Sequence, residues 1–436
     1  MTIPKTISRQ IKVEYIARVE GEGALDIVVD KGEITRLELR IFEPPRFFEA
    51  FLQGRGFHEA PDITARICGI CPVAYQMSAI HAMEKALQIT ITPAIRALRR
   101  LFYCAEWIES HALHIYLLHA PDFLGYESAI AMAANPELRP AVERGLHMKK
   151  IGNHLLALIG GREVHPISAG VGGFYRAPKH RELLRLKDEL EWGLEAATET
   201  VAWTASLPFP DFTPDYEHVA LSHSDEYPMN EGRVVSSKSL DITMEAFEEH
   251  FVEEHVAHSN ALHARRADGG SYLVGPLARV NLNLDKLSPR AQKAMRKSGL
   301  KFPNNNPFLS IVARSLELVH AFEESLRLID VYEEPVPSRV EVLPRGGEGR
   351  HITEAPRGML YHRYALDEQG LIKEARIIPP TSQNLRRMED DLRSYVPEII
   401  DLPLEEATWR CEQLIRNYDP CISCATHFLK LSITRA

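Results

Sequence analysis

The sequence predicts a mainly helical α+β fold: a central bundle of long helices with smaller β-containing regions towards the N- and C-termini. Three observations carry this. Apolar residues recur every three or four positions in three long stretches, shorter apolar runs near both ends break at tight turns, and no repeat or linker divides the 436 residues.

Taken in order, residues 11–19 are rich in apolar side chains, and 24–29 and 33–41 flank Asp30-Lys31-Gly32, which reads as a hairpin. From Pro61 the signal turns helical. Ile95, Leu98, Phe102, Ala105 and Ile108 lie on one face, with Thr92 and Pro93 as cap and first-turn residues and Pro121 as the stop. A second helix is expected over 181–207, closed by Pro208, and a third over 308–331, opened by Pro307. Residues 208–305, rich in Pro, His, Asn and Gly, read as irregular structure around short elements. Residues 338–379 return to β character, with a turn at Asp367-Glu368-Gln369-Gly370, and 405–417 form a last helix. The charged stretch 383–391 has few apolar residues and reads as solvated surface.

A chain of this length can bury a large core, and 45% hydrophobic with 25% charged residues is ordinary globular composition. The net charge of −9, with both signs interspersed, gives no footprint for nucleic acid. No run of about 20 apolar residues could span a bilayer, and the N-terminus lacks the apolar core of a secretory signal. The expected location is the cytoplasm, although a subunit exported with a partner needs no signal of its own.

Six cysteines are too few for a disulfide scaffold, and four form two Cys-x-x-Cys pairs, Cys68/Cys71 and Cys421/Cys424. Two intervening residues let both sulfurs of a pair face one ion, and four thiolates suit zinc, an iron–sulfur cluster or nickel. Taken bare, the pattern reads first as structural zinc. Zinc ribbons, however, place their pairs about 15–20 residues apart, whereas these lie 353 apart. If the pairs share a metal the chain ends must converge, which favours one integrated domain over 1–436.

The flanking residues change the balance. Arg18-Val19-Glu20-Gly21, Arg46-Phe47-Phe48-Glu49, Arg66-Ile67-Cys68-Gly69-Ile70-Cys71, Gly275-Pro276-Leu277-Ala278-Arg279, Glu354-Ala355-Pro356-Arg357-Gly358 and Asp419-Pro420-Cys421-Ile422-Ser423-Cys424-Ala425-Thr426-His427 stand in one order. Over nearly the whole chain this resembles the large, catalytic subunit of nickel–iron hydrogenases, most closely the soluble, cytoplasmic, NAD(P)-linked sulfhydrogenase group.

The resemblance implies that the four cysteines bind nickel, with Cys71 and Cys424 also bridging to an iron that carries one CO and two CN ligands. It makes Arg357 and Thr381 donors to cyanide. Asp419 would stand beside Arg357, and Cys421 would be the first proton acceptor, relaying to Glu20. A magnesium site is implied at Glu49 and His427, with a carbonyl near Arg376. Heterolysis of H2 needs a Lewis-acidic metal pair and a nearby base, which these residues would supply. With four cysteines consumed, the electron-relay clusters belong on an iron–sulfur small subunit, and FAD on diaphorase subunits that reduce NAD(P). A maturation protease and nickel-insertion proteins are further implied partners, and residues 428–436 could be a segment removed on maturation. Tyr75, Glu22 and Ser110 replace two histidines and an aspartate common in the family, which bears on tuning of the site.

Each residue also has an ordinary reading. Alone, Glu20 would be a solvated carboxylate, Arg357 a surface or paired arginine, and Glu49 a helix-surface residue. His250, His255, His258 and His263, near Glu253 and Glu254, are expected to be unliganded rather than a zinc site. Cys104 and Cys411 read as small buried hydrophobes, and Gly160-Gly161 and Gly172-Gly173 lack the context of a nucleotide loop. The alternative function is a metal-free or zinc-stapled structural subunit of a related redox complex.

Overall fold

A computed structural model describes residues 7–427; the segment 428–436, expected to be open to processing, lies outside the described residues. The chain starts with an antiparallel sheet of β1 (Arg9–Val13), β2 (Gly23–Asp30) and β3 (Glu33–Ile41). The β2–β3 turn closes the hairpin expected at Asp30-Lys31-Gly32, with Lys31 and Gly32 in the left-handed region. A short helix, α1 (Phe48–Leu52), leads to α2 (Pro72–Leu87), which starts directly after the first cysteine pair.

The bundle consists of α3 (Pro93–Leu113), α4 (Arg139–Gly160), α5 (Lys187–Ala205) and α6 (Ser310–Asp330). α3 packs against α4 and α6, and α6 against α5. Thr92 caps α3 by accepting the Ile95 N–H, and Pro93 occupies the first turn. Almost all of α3 is buried, so its charged residues need partners: Arg99 makes a two-pronged pair with Glu84, and Arg100 pairs with Glu324.

Three expectations need correcting here. The helix does not stop before Pro121; it continues as a π-turn over His114–His119 into Ala120–Leu124. Proline lacks an N–H and its ring crowds the carbonyl one turn back, and the wider turn accommodates it. Arg18 Nη1 donates to the Leu118 carbonyl there at 2.9 Å. Residues 181–207 form two helices, His180–Leu184 and α5, rather than one. Finally, α4 has no counterpart in the sequence reading, because three glycines weaken its helical signal. Gly152 shows why one is there: a Cβ would meet the Glu109 N at 2.7 Å and the Ala105 O at 2.9 Å, both backbone atoms of α3.

After the irregular middle, which includes the two-stranded ribbon β4 (Phe251–Glu254) and β5 (His263–Arg266), a meander of β6 (Gly347–Ala355), β7 (Gly358–Leu366) and β8 (Ile372–Ile378) packs on α2. α7 (Pro380–Ile399) follows, then α8 (Leu404–Asn417) and a last turn, Ile422–Ala425. The stretch 383–391 is not solvated surface: Gln383, Asn384, Leu385, Met388 and Asp391 are buried. Its polar side chains are satisfied inside, with Asn384 bonded to both backbone groups of Val274 and Asp391 accepting from Arg387. One apolar cluster runs from Ile11 to Ala425 and includes all four paired cysteines.

In Gly152→Ala, the close α3–α4 approach outweighs alanine's helix preference of about 1 kcal/mol. The expected result is a net destabilisation of about 1–2 kcal/mol, read as a lower thermal midpoint. A higher midpoint would mean that the helices can part without cost.

Candidate metal centre

The four motif sulfurs come from two turns. Cys68 and Cys71 lie just before α2, whose first N–H groups, those of Val73 and Ala74, donate to the buried Glu106 carboxylate of α3. Glu106 thus fixes the start of α2 next to the cysteines; burial pushes its carboxyl well up, against the pull of those donors. Cys421 and Cys424 lie at the end of the described chain. An isolated parallel bridge to Glu20, in the connection between β1 and β2, holds them, with the Glu20 N–H donating to the Pro420 carbonyl at 3.3 Å and the Ile422 N–H to the Glu20 carbonyl at 2.8 Å.

All four sulfurs are buried and lie within 4.8 Å of one another. Cys68 Sγ is 2.7 Å from Cys71 Sγ and 3.6 Å from Cys421 Sγ, and Cys71 Sγ is 4.0 Å from Cys424 Sγ. Cys421 and Cys424 are joined as a disulfide, so ligation requires that bond to be reduced to two thiolates. Burial raises the Cys71 thiol well above its ordinary range; at Cys68 burial is overcome by the Cys71 contact and the Arg357 charge, and the thiol is lowered.

Arg357 is buried beside the sulfurs. Its Nε donates to the Asp419 carbonyl at 2.8 Å and Nη2 to the Asp419 carboxylate at 3.2 Å, while Nη1 has no partner among the described residues. Burial opposes its charge, but Asp419, Cys71, Cys68 and Glu20 together keep it firmly protonated. Gly275 makes room for this loop: it has φ +115°, and a Cβ there would meet the Arg357 carbonyl at 2.8 Å. Thr381, in the first turn of α7, accepts the Cys421 N–H at 3.0 Å, which leaves its own hydroxyl hydrogen to donate. Glu20 Oε2 is 3.1 Å from both Cys421 Sγ and the Ser423 N–H.

A second polar cluster lies nearby. Glu49 Oε1 accepts the Ile377 N–H at 2.7 Å, His427 Nε2 is 2.7 Å from the Ile377 carbonyl, and the two side chains are 3.9 Å apart. The carbonyl that approaches this cluster belongs to Ile377, one residue after Arg376. The Arg376 side chain pairs with Glu253, which burial pushes up to about 7.

Sequence reasoning missed Glu106 and Glu317, and met Glu253 only as a neighbour of histidines expected to be unliganded. Arg279, known only as a motif member, bridges Glu317 at 2.6 Å and Glu354 at 2.9 Å beneath the site. For Glu106 and Glu317 the only sequence signal was charge at core positions of otherwise apolar helices, which reads the same as a solvated face. Of the three departures, Glu22 is exposed, while Tyr75 Oη and Ser110 Oγ are buried without partners among the described residues.

A model of the nickel-dependent hydrogenases matches residues 46–140 and 243–427, more than half of the chain. The chain belongs to that family. It is 34% identical to the sulfhydrogenase 1 subunit alpha of Pyrococcus furiosus over 98% of this chain and 100% of that one. It is 28% identical to the beta subunit of the NAD-reducing hydrogenase HoxS of Cupriavidus necator, over 97% and 96%. Its structure overlays that of an NAD+-reducing NiFe-hydrogenase in the H2-reduced state with a TM-score of 0.84, at 26% identity over 96% of this chain and 99% of that one. This hydrogenase subunit is the catalytic one, of a nickel–iron enzyme that interconverts H2 with protons and electrons. The four sulfurs fit nickel's preference for thiolates, and the free Nη1 of Arg357 fits a buried acceptor beside them.

Loss of even an outer-shell partner costs about 10–100-fold in metal affinity, so Cys68→Ser should lower nickel per chain by at least about tenfold. The check is elemental mass spectrometry; unchanged nickel would remove Cys68 from the ligand set.

Proposed function

We propose that Cys68, Cys71, Cys421 and Cys424 hold nickel, that Cys71 and Cys424 bridge it to iron, and that Cys421 and Glu20 carry the proton released from H2. The observation behind this reading is the 3.1 Å contact between Cys421 Sγ and Glu20 Oε2 at the edge of four buried sulfurs. When bound, the centre supplies the Lewis acidity and redox chemistry of H2 heterolysis. Cys421 Sγ takes the proton and passes it to Glu20 Oε2. Glu20 is only half-buried, so it connects the dry sulfurs with the protein's outer layer.

With iron bound, Arg357 Nη1 and Thr381 Oγ1 would donate to its two cyanides, with CO as the third diatomic; Asp419 holds the guanidinium in place. Glu49, His427 and the Ile377 carbonyl are the magnesium ligands, an oxygen-rich set completed by water. Residues 1–436 act as one integrated catalytic domain.

Cys104 and Cys411 are single cysteines buried on helices, and burial pushes both thiols up to about 12. They leave no cluster-ligand set among the described residues beyond the motif pairs, so electrons leave through an iron–sulfur small subunit. Exposed Phe42, Phe47 and Phe51 offer it a face, next to Arg46, which donates to the carbonyls of Ile67 and Ser423 beside the two pairs. Flavin-containing diaphorase subunits then pass the electrons to NAD(P) in the cytoplasm; a maturation protease and nickel-insertion proteins load the site. Among the described residues no helix is long and apolar enough to cross a membrane.

Infrared absorption of the anaerobically purified protein should show metal-bound CO and CN stretches together with one nickel per chain. A silent window with stoichiometric zinc would replace this reading with a structural clasp. In Glu20→Gln, metals and infrared bands should persist while H2 turnover falls by about 10²–10⁴-fold, the usual range for a lost proton carrier. Undiminished turnover would exclude Glu20 from the proton path.

A further inference from the structure

Away from the thiolates, two histidines of one ribbon and a glutamate from a distant helix converge. His258 lies in the loop between β4 and β5, His263 opens β5, and Glu389 lies on α7. His258 Nε2 is 2.7 Å from Glu389 Oε1, and His263 Nδ1 is 3.9 Å from Glu389 Oε2. One ligand atom from each falls within 4.8 Å of the other two.

We propose that His258, His263 and Glu389 form a further metal site that takes one divalent transition ion, with zinc the best match. Two imidazoles and a carboxylate are a donor set that zinc accepts with three protein ligands and one water; magnesium prefers oxygen alone. Tetrahedral zinc needs its ligand atoms about 3–3.5 Å apart, and the 2.7 Å and 3.9 Å separations of the two imidazoles from Glu389 bracket that spacing.

Several features mark this as more than an ordinary ion pair. His263 is 1% exposed; its Nδ1 faces Glu389 from too far for a hydrogen bond, and its other ring nitrogen, Nε2, has no hydrogen-bond partner among the described residues. A buried polar nitrogen left that way costs about 1–3 kcal/mol. The two rings meet edge-to-face with centroids 5.7 Å apart, so they do not stack and can aim at a common point. Glu389 Oε1 is anchored from the other side by the Leu39 N–H of β3 at 2.9 Å. His258 and Glu389 are 20% and 16% exposed, enough for an ion with its water to enter. The nearby Arg265 and Arg386 are both engaged by Glu254 at 2.7 Å, so neither guanidinium is left to repel the ion.

The site shares no residue with the thiolate centre or with Glu49 and His427. An ion there ties the β4–β5 ribbon to α7, the helix whose first turn places Thr381 on the Cys421 N–H. Its role is therefore a clasp that holds α7 in position rather than a second catalytic centre.

The test uses the assembled, metal-loaded enzyme, in which the four thiolates are already occupied. After chelator treatment and dialysis it is titrated with zinc chloride by calorimetry, with nickel, iron and zinc counted by mass spectrometry. The expected result is one zinc per chain beyond the nickel and iron, with a higher thermal midpoint at saturation. His258→Ala and Glu389→Gln should each weaken that binding by more than about tenfold, with nickel and iron contents unchanged. His258→Ala lies in a partly exposed loop, so it guards against misfolding of the α7 variant. Wild-type protein that takes up no zinc, or that binds it no better than His258→Ala does, would overturn the proposal.

Discussion

Arg18 and Arg416, from opposite ends of the chain, share the carboxylate of Asp122. Arg416 contacts it through Nε at 2.7 Å and Nη2 at 2.9 Å, Arg18 through Nη2 at 2.5 Å, and Arg416 Nη1 also donates to the Ala17 carbonyl at 2.8 Å. Asp122 and Arg416 are buried and Arg18 nearly so, which makes the knot expensive to break: an unpaired buried charge costs about 3–5 kcal/mol. Its geometry matters more than its net stability. It sets residues 17–20 alongside 416–422, and the Glu20–Cys421 bridge then has only one register available. Everything chemical follows from that register, because one step of slip would turn Glu20 away from the Cys421 sulfur.

Beneath the sulfurs the bundle carries an electrostatic floor. Arg279 lies between Glu317 and Glu354, and those carboxylates, with the indole face of Trp107 4.5 Å from the guanidinium carbon, hold it charged in a dry interior. Burial favours a neutral Glu317, but Arg279 and His111 bring it well below the usual carboxylate range. Glu354 responds the other way: burial dominates and lifts it to about 7. Arg314, whose Nη1 donates to the Asn417 carbonyl, is pushed down to about 10 by burial, with Asp419 and Glu317 opposing. In a low dielectric these fixed charges act at longer range than they would in water, so Arg357 and Asp419 work in a field that the bundle helices set.

Much of this was legible because it rests on local chemistry. Asp30-Lys31-Gly32 marked the first hairpin, Thr92 and Pro93 announced α3, and a metal shared by the two cysteine pairs would bring the chain ends together. The motif blocks around Glu20, Glu49, Arg357 and His427 mark residues that the fold does bring to the two clusters. What stayed hidden was tertiary. Gly145, Gly152 and Gly160 look like helix breakers until α3 packs against α4. Residues 383–391 look solvated because a buried Asn384 or Asp391 is recognisable only from its partners, Val274 and Arg387, which lie far off or one turn away. His258 and His263 carried no clear signal because their third partner, Glu389, is 126 residues beyond His263.

The unpaired polar atoms around the sulfurs link assembly to folding. Arg357 Nη1, Tyr75 Oη and Ser110 Oγ are buried with no partner among the described residues. Each such group costs about 1–3 kcal/mol, and native structures keep few of them. An acceptor for Arg357 Nη1 recovers part of that cost only in the folded chain, where Asp419 has already fixed the guanidinium. The same holds for the sulfurs, which the chain separates by hundreds of residues and which lie close enough to share an ion only once the Asp122 knot has formed. Binding energy gained by the folded state alone is folding energy. Loading the centre therefore stabilises the contact that created it, and closing the chain ends is one process with building the site.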